Sequence, residues 1–295
     1  MEFSDRSPHI PVLLSEVAEM MAVREDGVYV DATVGLGGHS SAILEKLGSK
    51  GMLIGIDRDD EALSFAAKRL GNGRVHLHKG RFSELGEIVS DMNMNQVDGV
   101  LFDLGMSMFQ LKDHDRGFSF MSEARLDMRM DPSERLSAWG VVNRYSEKEL
   151  QWILKEFGEE PLFRKIAKRI VISRQSAPIN TCSELAELVL QVYGGRGKTH
   201  PATRTFQALR IEVNKELEEL RNGLSAAVGV LKVGGRICVI AYHSLEDRIV
   251  KNTFRDLSRD RVLRILTKKP IAPVREEILR NPAARSAKLR GIEKI

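Results

Sequence analysis

Short apolar runs alternate with helical patterns through the first hundred residues of this 295-residue chain. Three runs, each closed by a polar or glycine-rich turn, begin at Val28, Met52 and Val97, and a weaker one begins at Val75. Segments rich in Ala and Leu, such as 61–70, lie between them. Apolar runs of this length that alternate with helices are typical of βαβ units. The pattern therefore predicts an α/β fold with a doubly wound parallel sheet.

The alternation stops after Leu111, and helix signals without a convincing strand continue for about ninety residues. Two capping boxes, at Ser146–Glu149 and Thr181–Glu184, mark helix starts in this region. We therefore predict an all-helical subdomain at 113–202. It would be inserted into a discontinuous sheet domain formed by 1–112 and 203–295.

The last third of the chain returns to a sheet pattern. An amphipathic stretch over about 202–231 predicts one long helix, and the apolar run after the glycine turn at 234–235 predicts a strand. A basic helix is expected after Ser244. Two short alternating segments, 262–266 and 287–292, suggest an antiparallel pair at the edge of the sheet.

Composition places the chain among ordinary globular proteins, with 42% hydrophobic and 29% charged residues. No stretch approaches the roughly 20 apolar residues that span a bilayer, and the first residues lack a signal-peptide pattern. We therefore expect a cytoplasmic protein that does not contact the membrane. The two cysteines, Cys182 and Cys238, are far apart in sequence, so neither a disulfide framework nor a thiolate metal site is indicated. We expect no metal.

Charge is concentrated in residues 248–295, which hold fourteen Lys or Arg against five Asp or Glu. The net charge of this segment is therefore +9. Because the whole chain has a net charge of +4, the remaining residues carry −5. A basic block on an acidic body is typical of a protein with a polyanionic partner, because phosphate contacts supply most sequence-independent affinity. A solvated basic face without a partner is the alternative.

A glycine-rich segment, Asp31-Ala-Thr-Val-Gly-Leu-Gly-Gly-His39, lies where the first strand must turn into a helix. A dinucleotide-binding loop requires Gly-x-Gly-x-x-Gly, but here the sixth position is Ser40 and an acid precedes the loop. S-adenosylmethionine has no pyrophosphate and carries a cationic sulfonium, beside which a carboxylate is favourable. The loop therefore predicts a Rossmann-like S-adenosylmethionine methyltransferase sheet rather than a dehydrogenase.

Three further positions follow strand ends. Asp57 comes about twenty residues after the glycine loop, where it can accept hydrogen bonds from both ribose hydroxyls, although such an acid can also merely cap a helix. Phe82 could lie against an adenine face, or belong to the core. Asp103 follows the fourth strand, at the carboxyl edge where doubly wound sheets bind ligands.

Longer motifs carry a resemblance to one family over essentially the whole chain. They are His9-Ile-Pro-Val-Leu-Leu, Gly35-Leu-Gly-Gly-His-Ser, Asp103-Leu-Gly, Arg116-Gly-Phe-Ser-Phe, Leu126-Asp-Met-Arg-Met-Asp-Pro132, Gly158-Glu-Glu, His200-Pro-Ala-Thr-Arg-Thr-Phe-Gln-Ala-Leu-Arg210 and His243-Ser-Leu-Glu-Asp-Arg248. In this order they resemble the bacterial 16S ribosomal RNA cytosine-N4 methyltransferases, also called MraW or RsmH.

The resemblance implies methylation of the exocyclic N4 amine of one cytidine in the decoding region, at the P site, of 16S ribosomal RNA in the small ribosomal subunit. It also implies that the helical insert recognises the substrate, and it leaves open whether the chain forms a homodimer. The implied S-adenosylmethionine contacts are Gly37, Gly38, His39, Asp57, Phe82, Asp103 and Gln110. One departure is Met106-Ser-Met-Phe109, where the family more often has small residues and a proline.

Two residues are candidates for the catalytic base. Asp103, or His243 at the end of the fifth predicted strand, could accept the hydrogen bond or the proton of the amine. His243 could instead contact RNA phosphate or simply end a strand. Carbon-5 methylation is disfavoured, because it needs a cysteine nucleophile in a loop, whereas Cys182 is predicted helical and Cys238 lies in a predicted strand.

Two other classes of protein share part of these features. A protein or small-molecule methyltransferase would have the same glycine loop, but would not need the basic segment. A non-enzymatic RNA-binding or assembly factor would bind S-adenosylmethionine without turnover. The polar stretches at 126–131 and 200–207, with Arg204 and Arg210, are predicted to face the RNA, with an inter-domain contact as the alternative.

Overall fold

The computed structural model describes residues 11–71, 73–106, 114–195, 197 and 200–295. Its strands are β1 (Val28–Asp31), β2 (Met52–Asp57), β3 (Val75–Lys79), β4 (Val97–Asp103), β5 (Leu231–Ala241), β6 (Leu263–Ile265) and β7 (Lys288–Lys294). Its helices are α1 (Leu14–Met20), α2 (Gly38–Lys46), α3 (Asp60–Leu70), α4 (Leu85–Asp91), α5 (Ala138–Arg144), α6 (Glu147–Glu156), α7 (Phe163–Ser176), α8 (Cys182–Tyr193), α9 (Ala202–Asn214), α10 (Glu216–Val230), α11 (Ser244–Arg259) and α12 (Arg275–Arg280).

Two compact units divide the chain. Residues 1–105 and 217–295 form one, called the sheet unit below, and residues 106–216 form the other, called the helical unit. All seven strands belong to the sheet unit. Within the described part of the helical unit, extended pairing is limited to a single bridge between Arg125 and Thr181.

The strands form one mixed sheet in the order β3-β2-β1-β4-β5-β7-β6. The first five pair in parallel, and β7 pairs antiparallel with both β5 and β6. The α/β fold and the doubly wound sheet are thus confirmed. The predicted antiparallel pairing of the last two strands is also confirmed. Of these two strands, β6 lies at the edge of the sheet, whereas β7 lies inside it between β5 and β6.

Successive residues of each strand pack on opposite faces of the sheet, as the two-residue period of a strand requires. Val30, Val100 and Val239 share one core cluster with apolar side chains of α4, α10 and α11. Tyr29 and Leu101 share another with α1 and α2. Helices therefore cover both faces, which explains why the strands contain nearly continuous apolar runs.

The helical unit has its own core of apolar side chains from α5 to α9. The two predicted capping boxes are present: Ser146 and Thr181 each accept a hydrogen bond from the backbone N–H three residues on, at 3.3 and 3.2 Å. The glutamates at those positions, Glu149 and Glu184, accept hydrogen bonds back from the cap N–H groups at 2.7 and 3.1 Å. These local signals fix where α6 and α8 begin.

The prediction of one long helix over 202–231 is wrong. The chain leaves the helix at Lys215, where φ is 53°, and starts again at Glu216. The amide of Asn214, just before the break, accepts a hydrogen bond from the Met130 backbone N–H and donates one to the Met128 carbonyl, both at 2.8 Å.

The compact units are also divided at different residues from those we predicted. The division falls after 105 and after 216, rather than after 112 and 202. Helix α9 belongs to the helical unit because Phe206, Leu209 and Val213 lie in that unit's core. No helix among the described residues has the length and apolar character needed to cross a membrane.

Candidate active site

Parallel pairing brings the carboxyl ends of β1, β2, β4 and β5 to one edge of the sheet. Asp31, Asp57 and Asp103 are the last residues of the first three of these strands. Tyr242 and His243 follow β5 directly. Ligands of doubly wound sheets bind at this edge, so the structure places the predicted acidic residues where a cofactor and substrate would meet.

The glycine loop connects β1 to α2 through two left-handed residues. Gly35 has a φ of 49° and Gly37 has a φ of 76°, which a side chain would disfavour by about 1–2 kcal/mol each. Gly38, the first residue of α2, approaches Pro11 so closely that an added Cβ would lie 2.5 Å from the proline Cγ. The three glycines are therefore required by the backbone path itself.

Asp31 is buried beneath this loop. Its carboxylate accepts hydrogen bonds from Ser40 Oγ at 2.7 Å and from the Thr33 N–H at 3.2 Å. Burial raises the pKa of Asp31, and the Ser40 hydrogen bond opposes that rise only in part. Asp31 therefore connects the first turn of α2 to the end of β1 by hydrogen bonds. This structural role was not predicted from the sequence.

Asp57 is the acid that follows β2. Its two oxygens accept hydrogen bonds from the backbone N–H groups of Gly35, at 2.9 Å, and Asp59, at 3.0 Å. Burial raises the pKa of Asp57 to about 6. Helix capping, the alternative for Asp57, falls to Asp59, whose side chain caps α3. Asp57 instead joins the glycine loop to the end of β2.

Asp103 is in contact with three side chains from different segments. Tyr242 donates its hydroxyl hydrogen bond to Asp103 Oδ1 at 2.8 Å, and the Asp103 N–H donates to Thr33 Oγ1 at 2.7 Å. His39 Nε2 lies 3.5 Å from Asp103 Oδ2. Burial together with Asp103 raises the pKa of Tyr242 well above its ordinary value, so the phenol stays a donor.

His39 is buried at the start of α2. Burial alone would lower its pKa, but the Asp103 and Asp31 carboxylates outweigh burial and raise the pKa above its ordinary value. Neither ring nitrogen forms a hydrogen bond within the described part of the chain. A buried imidazole without hydrogen bonds is costly, so His39 is a site that a ligand would complete.

Phe82 lies three residues after the end of β3. Its ring packs edge-on against Phe102, with 5.6 Å between ring centroids, and the Arg58 guanidinium lies 6.0 Å from its centroid. An added Cβ on Gly223 of α10 would lie 2.5 Å from Phe82, so this glycine makes room for the ring. Phe82 is partly buried, which leaves some of the ring surface exposed.

His243 caps α11. Its Nδ1 accepts a hydrogen bond from the Glu246 N–H at 3.4 Å, and its Nε2 lies 3.1 Å from Glu246 Oε1. Glu246 in turn accepts hydrogen bonds from the N–H groups of Tyr242 and His243, at 2.8 and 3.3 Å. The imidazole is thereby held beside an almost fully buried carboxylate, and both groups fix the path of the chain from β5 to α11.

A family model described as the MraW methylase family matches residues 6–295. The chain belongs to the MraW methylase family. Two relatives are 48% and 51% identical to it, from Caldicellulosiruptor saccharolyticus and Persephonella marina, with 97% of this chain and 99% of each relative covered. A third, from Fusobacterium nucleatum, is 46% identical over the whole chain and 99% of the relative. All three are named ribosomal RNA small subunit methyltransferase H.

Solved structures align over nearly the whole chain at lower similarity. One is described as a putative rRNA methylase from Clostridium thermocellum, with 17% identity, a TM-score of 0.48, and coverage of 98% of this chain and 100% of that one. Membership of the MraW methylase family confirms the family expected from the sequence, the methyltransferase activity and S-adenosylmethionine as the cofactor.

The strand-end residues suit that cofactor. S-adenosylmethionine is a cation, and Asp31, Asp57 and Asp103 supply carboxylates at one edge of the sheet. His39 Nδ1, which has no partner among the described residues, is available to hydrogen-bond the polar amino-acid end of such a ligand. The chemistry of the site therefore fits the cofactor of the MraW methylase family.

Two side chains at this site were not predicted from the sequence. Thr33 and Tyr242 position Asp103, and they come from segments that are more than two hundred residues apart. Tyr242 was identifiable only as the residue that follows an apolar strand. Gln110, predicted to contact the cofactor, and the Ser107–Phe109 part of the unusual Met106-Ser-Met-Phe109 segment lie outside the described residues.

Two arginines of the segments predicted to face the RNA form ion pairs within the helical unit. Arg210 makes a two-fold ion pair with Glu216, with Nε and Nη2 each 2.8 Å from a carboxylate oxygen. Arg129 pairs with Asp127 at 2.7 Å, and this pairing outweighs burial and lowers the pKa of Asp127. Arg204 is exposed. Contact of these residues with RNA stays a prediction.

Proposed function

We propose that the chain methylates the exocyclic N4 amine of a cytidine in the decoding region of 16S ribosomal RNA. The names of its relatives in the MraW methylase family support the small-subunit RNA as substrate. The chemistry at Asp103 supports the amine as the acceptor, and this is the observation on which the proposal chiefly rests.

Amine methylation requires a group that aligns a weak nucleophile and takes up a proton. The cytosine amine is a weak nucleophile because its lone pair is delocalised into the ring. Asp103 Oδ2 lies 3.5 Å from His39, and Oδ1 is held by the Tyr242 hydroxyl. A carboxylate fixed in this way can accept a hydrogen bond from one amine N–H and turn the lone pair toward the methyl group.

S-adenosylmethionine supplies an electrophilic methyl group on its sulfonium. The residues proposed to hold it are Gly37, Gly38, His39, Asp57, Phe82, Asp103 and Gln110. Among them, the Asp57 carboxylate is proposed to accept hydrogen bonds from the ribose, and the exposed part of Phe82 to lie against the adenine. When the amine nitrogen takes the methyl group, the sulfur–methyl bond would break and leave a neutral thioether, and Asp103 or His243 would receive the amine proton.

Methylation at carbon 5 of cytosine is not supported, because it would need a reactive cysteine. Both cysteines of the chain are fully buried, Cys238 in the inner strand β5 and Cys182 at the start of α8. Burial raises the pKa of each thiol to about 12. Neither can form a thiolate nucleophile near neutral pH.

Nucleoside analysis after incubation with radiolabelled S-adenosylmethionine tests the proposal. The chain is incubated in parallel with assembled small subunits, naked 16S ribosomal RNA, DNA and a protein extract. Label in N4-methylcytidine, from either the subunit or the naked RNA, is the expected result. Label in 5-methylcytidine, in another base or in protein would overturn it, and bound cofactor without any transfer would indicate a non-enzymatic factor.

A further inference from the structure

A groove of about 620 Å³ lies between helix α11 and the edge strand β6 of the sheet unit. Six cationic side chains line it: Lys251, Arg255, Arg261, Arg264, Lys268 and Arg290. No acidic residue is among the lining residues. We call this surface the basic groove, and it accounts for a large part of the positive charge that the sequence places in residues 248–295.

The six cations fall into two sets. Arg255, Arg264 and Arg290 each pair with a carboxylate outside the lining, namely Asp256 at 3.2 Å, Glu293 at 2.6 Å and Asp247 at 2.7 Å. Lys251, Arg261 and Lys268 are exposed, and none of the three forms an ion pair with any described residue. Cations without carboxylate partners on one surface favour the binding of anionic ligands.

The base of the basic groove is apolar and closed. Phe254 and Leu263 line it but are 3% and 1% exposed, so their surface is used in packing α11 against the sheet. No exposed aromatic ring is available in the lining on which a nucleic-acid base could stack. The surface therefore favours contact with a backbone of phosphates rather than recognition of bases.

We propose that the basic groove binds the phosphodiester backbone of the RNA substrate. The inference rests on the proposed function and extends it to a second contact on the same unit. Helix α11 starts next to His243 and carries Lys251 two turns later, roughly 12 Å along its axis at 1.5 Å per residue. An RNA strand whose target base lies at the strand ends would continue over α11 toward the groove.

The extent of the cationic surface favours a polymer over a small anion. The lining runs along α11 from Lys251 to Ser258, about 10 Å, and continues beyond the helix through Arg261 to Lys268. The three unpaired cations come from three different segments: α11, the turn after it and the segment after β6. A single phosphate or nucleotide would contact only a fraction of them.

Salt-dependent RNA binding by the full chain tests the proposal. The variant K251Q/R261Q/K268Q removes the three unpaired cations of the groove. The control K46Q/K50Q/K68Q removes the same charge from three exposed lysines of the same unit, at the ends of α2 and α3 and in the turn after α2. Binding of a fluorescent 16S ribosomal RNA fragment is measured between 50 and 200 mM salt. The affinity for S-adenosylmethionine is measured separately, and KM and kcat are measured for methylation of the RNA substrate.

The groove variant is expected to bind RNA more weakly and with a salt slope lower by two to three units, since each lost phosphate contact removes about 0.7–0.9. For a slope change of about 2.7, the wild type loses about 40-fold more affinity than the variant over that fourfold salt range. KM for RNA rises, while kcat and cofactor affinity stay unchanged. Inorganic phosphate at tens of millimolar should compete only weakly.

Two results would overturn the proposal. One is a groove variant whose RNA affinity, salt slope and KM equal those of the wild type. The other is an equal loss in both variants, which would indicate a response to net charge rather than to this surface. Failure of the wild type to methylate RNA would instead contradict the proposed function, so the two failures are distinguishable.

Discussion

The strand ends of the sheet unit and the surroundings of Asn214 in the helical unit differ in how they use buried polar side chains. At the strand ends of the sheet unit, Asp31 and His39 are buried, Asp57 is partly buried, and all three have displaced pKa values. His39 lacks hydrogen bonds among the described residues. In the helical unit, Asn214 is buried and its amide forms hydrogen bonds with the backbone of Met128, Met130 and Arg210.

The difference is the one expected between a ligand-binding site and a part of the fold that only supports the structure. Ionisable groups that are desolvated and crowded together are unfavourable in the free protein, and they persist where a ligand or a reaction needs them. Amides and caps that satisfy backbone groups stabilise a fold whatever it binds. Substitutions at the strand ends should therefore change chemistry and cofactor binding, whereas substitutions in the helical core should change stability.

The largest effect is expected at Asp103. Asp103→Asn keeps the shape of the side chain but removes the charge that accepts the amine proton, so single-turnover rates should fall about 10²- to 10⁴-fold. Cofactor affinity, measured separately by calorimetry, should change far less. His243→Ala is the parallel test. Full single-turnover activity in either variant would eliminate that residue as the base.

In the helical unit, the largest effect is expected at Gly117. It has a φ of 72°, and an added Cβ would lie 2.4 Å from the Arg125 carbonyl oxygen. Gly117→Ala should lower the free energy of unfolding by about 2–5 kcal/mol, as strain and overpacking add. Urea denaturation measures this.

Gly194→Ala is the matched control, because Gly194 has a φ of 74° but nothing within 4 Å of an added Cβ. It should cost only the left-handed strain, about 1–2 kcal/mol. Equal costs at the two glycines would show that the close contact at Gly117 contributes nothing.

A smaller effect on stability is expected from the buried hydrogen bond beneath the glycine loop. Ser40→Ala removes the donor to Asp31 and should cost about 1.5–3 kcal/mol, the range for hydrogen bonds to charged groups. Ser41→Ala is the control: its hydroxyl donates to the neutral Gly37 carbonyl at 2.8 Å and accepts from Arg69 Nε at 3.1 Å. Because the Arg69 hydrogen bond is exposed, the variant should cost only about 1 kcal/mol. Thermal unfolding at pH 7 compares them, and a larger cost at Ser41 would contradict the assignment.

The smallest effect is a pH dependence of cofactor binding through Asp57. Because burial raises its pKa to about 6, the carboxylate takes up a proton as the pH falls through 6 and loses capacity to accept hydrogen bonds. The Kd for S-adenosylmethionine should be nearly constant above pH 7 and rise by up to about tenfold per pH unit below 6. Calorimetry from pH 5 to 8 measures it.

Asp57→Asn is the control for this pH profile. It should bind the cofactor more weakly at all pH values and lose the dependence centred near 6. A wild-type Kd that stays flat down to pH 5 would argue against a role for Asp57 in cofactor binding.

Local signals explain what could be predicted from the sequence. Apolar runs, glycine turns and the capping boxes at Ser146 and Thr181 act within a few residues, and they located the strands and several helices. The break at Lys215 was missed because Asn214 takes its partners from Met128 and Met130, more than eighty residues earlier. An amphipathic period does not contain that information.

The candidate site shows the same limit. Asp57 and the glycine loop follow each other in sequence, and their connection through the Gly35 N–H agrees with their spacing. Tyr242 and Thr33 become neighbours of Asp103 only because β5 and β1 both pair with β4. The role of Gln110 stays a prediction, since this residue lies outside the part of the chain that the structure describes.

The position of β4 in the sheet has a consequence for synthesis on the ribosome. β4 pairs with β1 on one side, but its other partner, β5, begins at Leu231, after the whole helical unit. At about 5–20 residues per second, the roughly 110 residues of that unit take about 5–20 s to emerge. During that time the edge of β4 in the nascent chain is unpaired and is a candidate for chaperone binding. The helical unit therefore leaves the ribosome before the strands that complete the sheet.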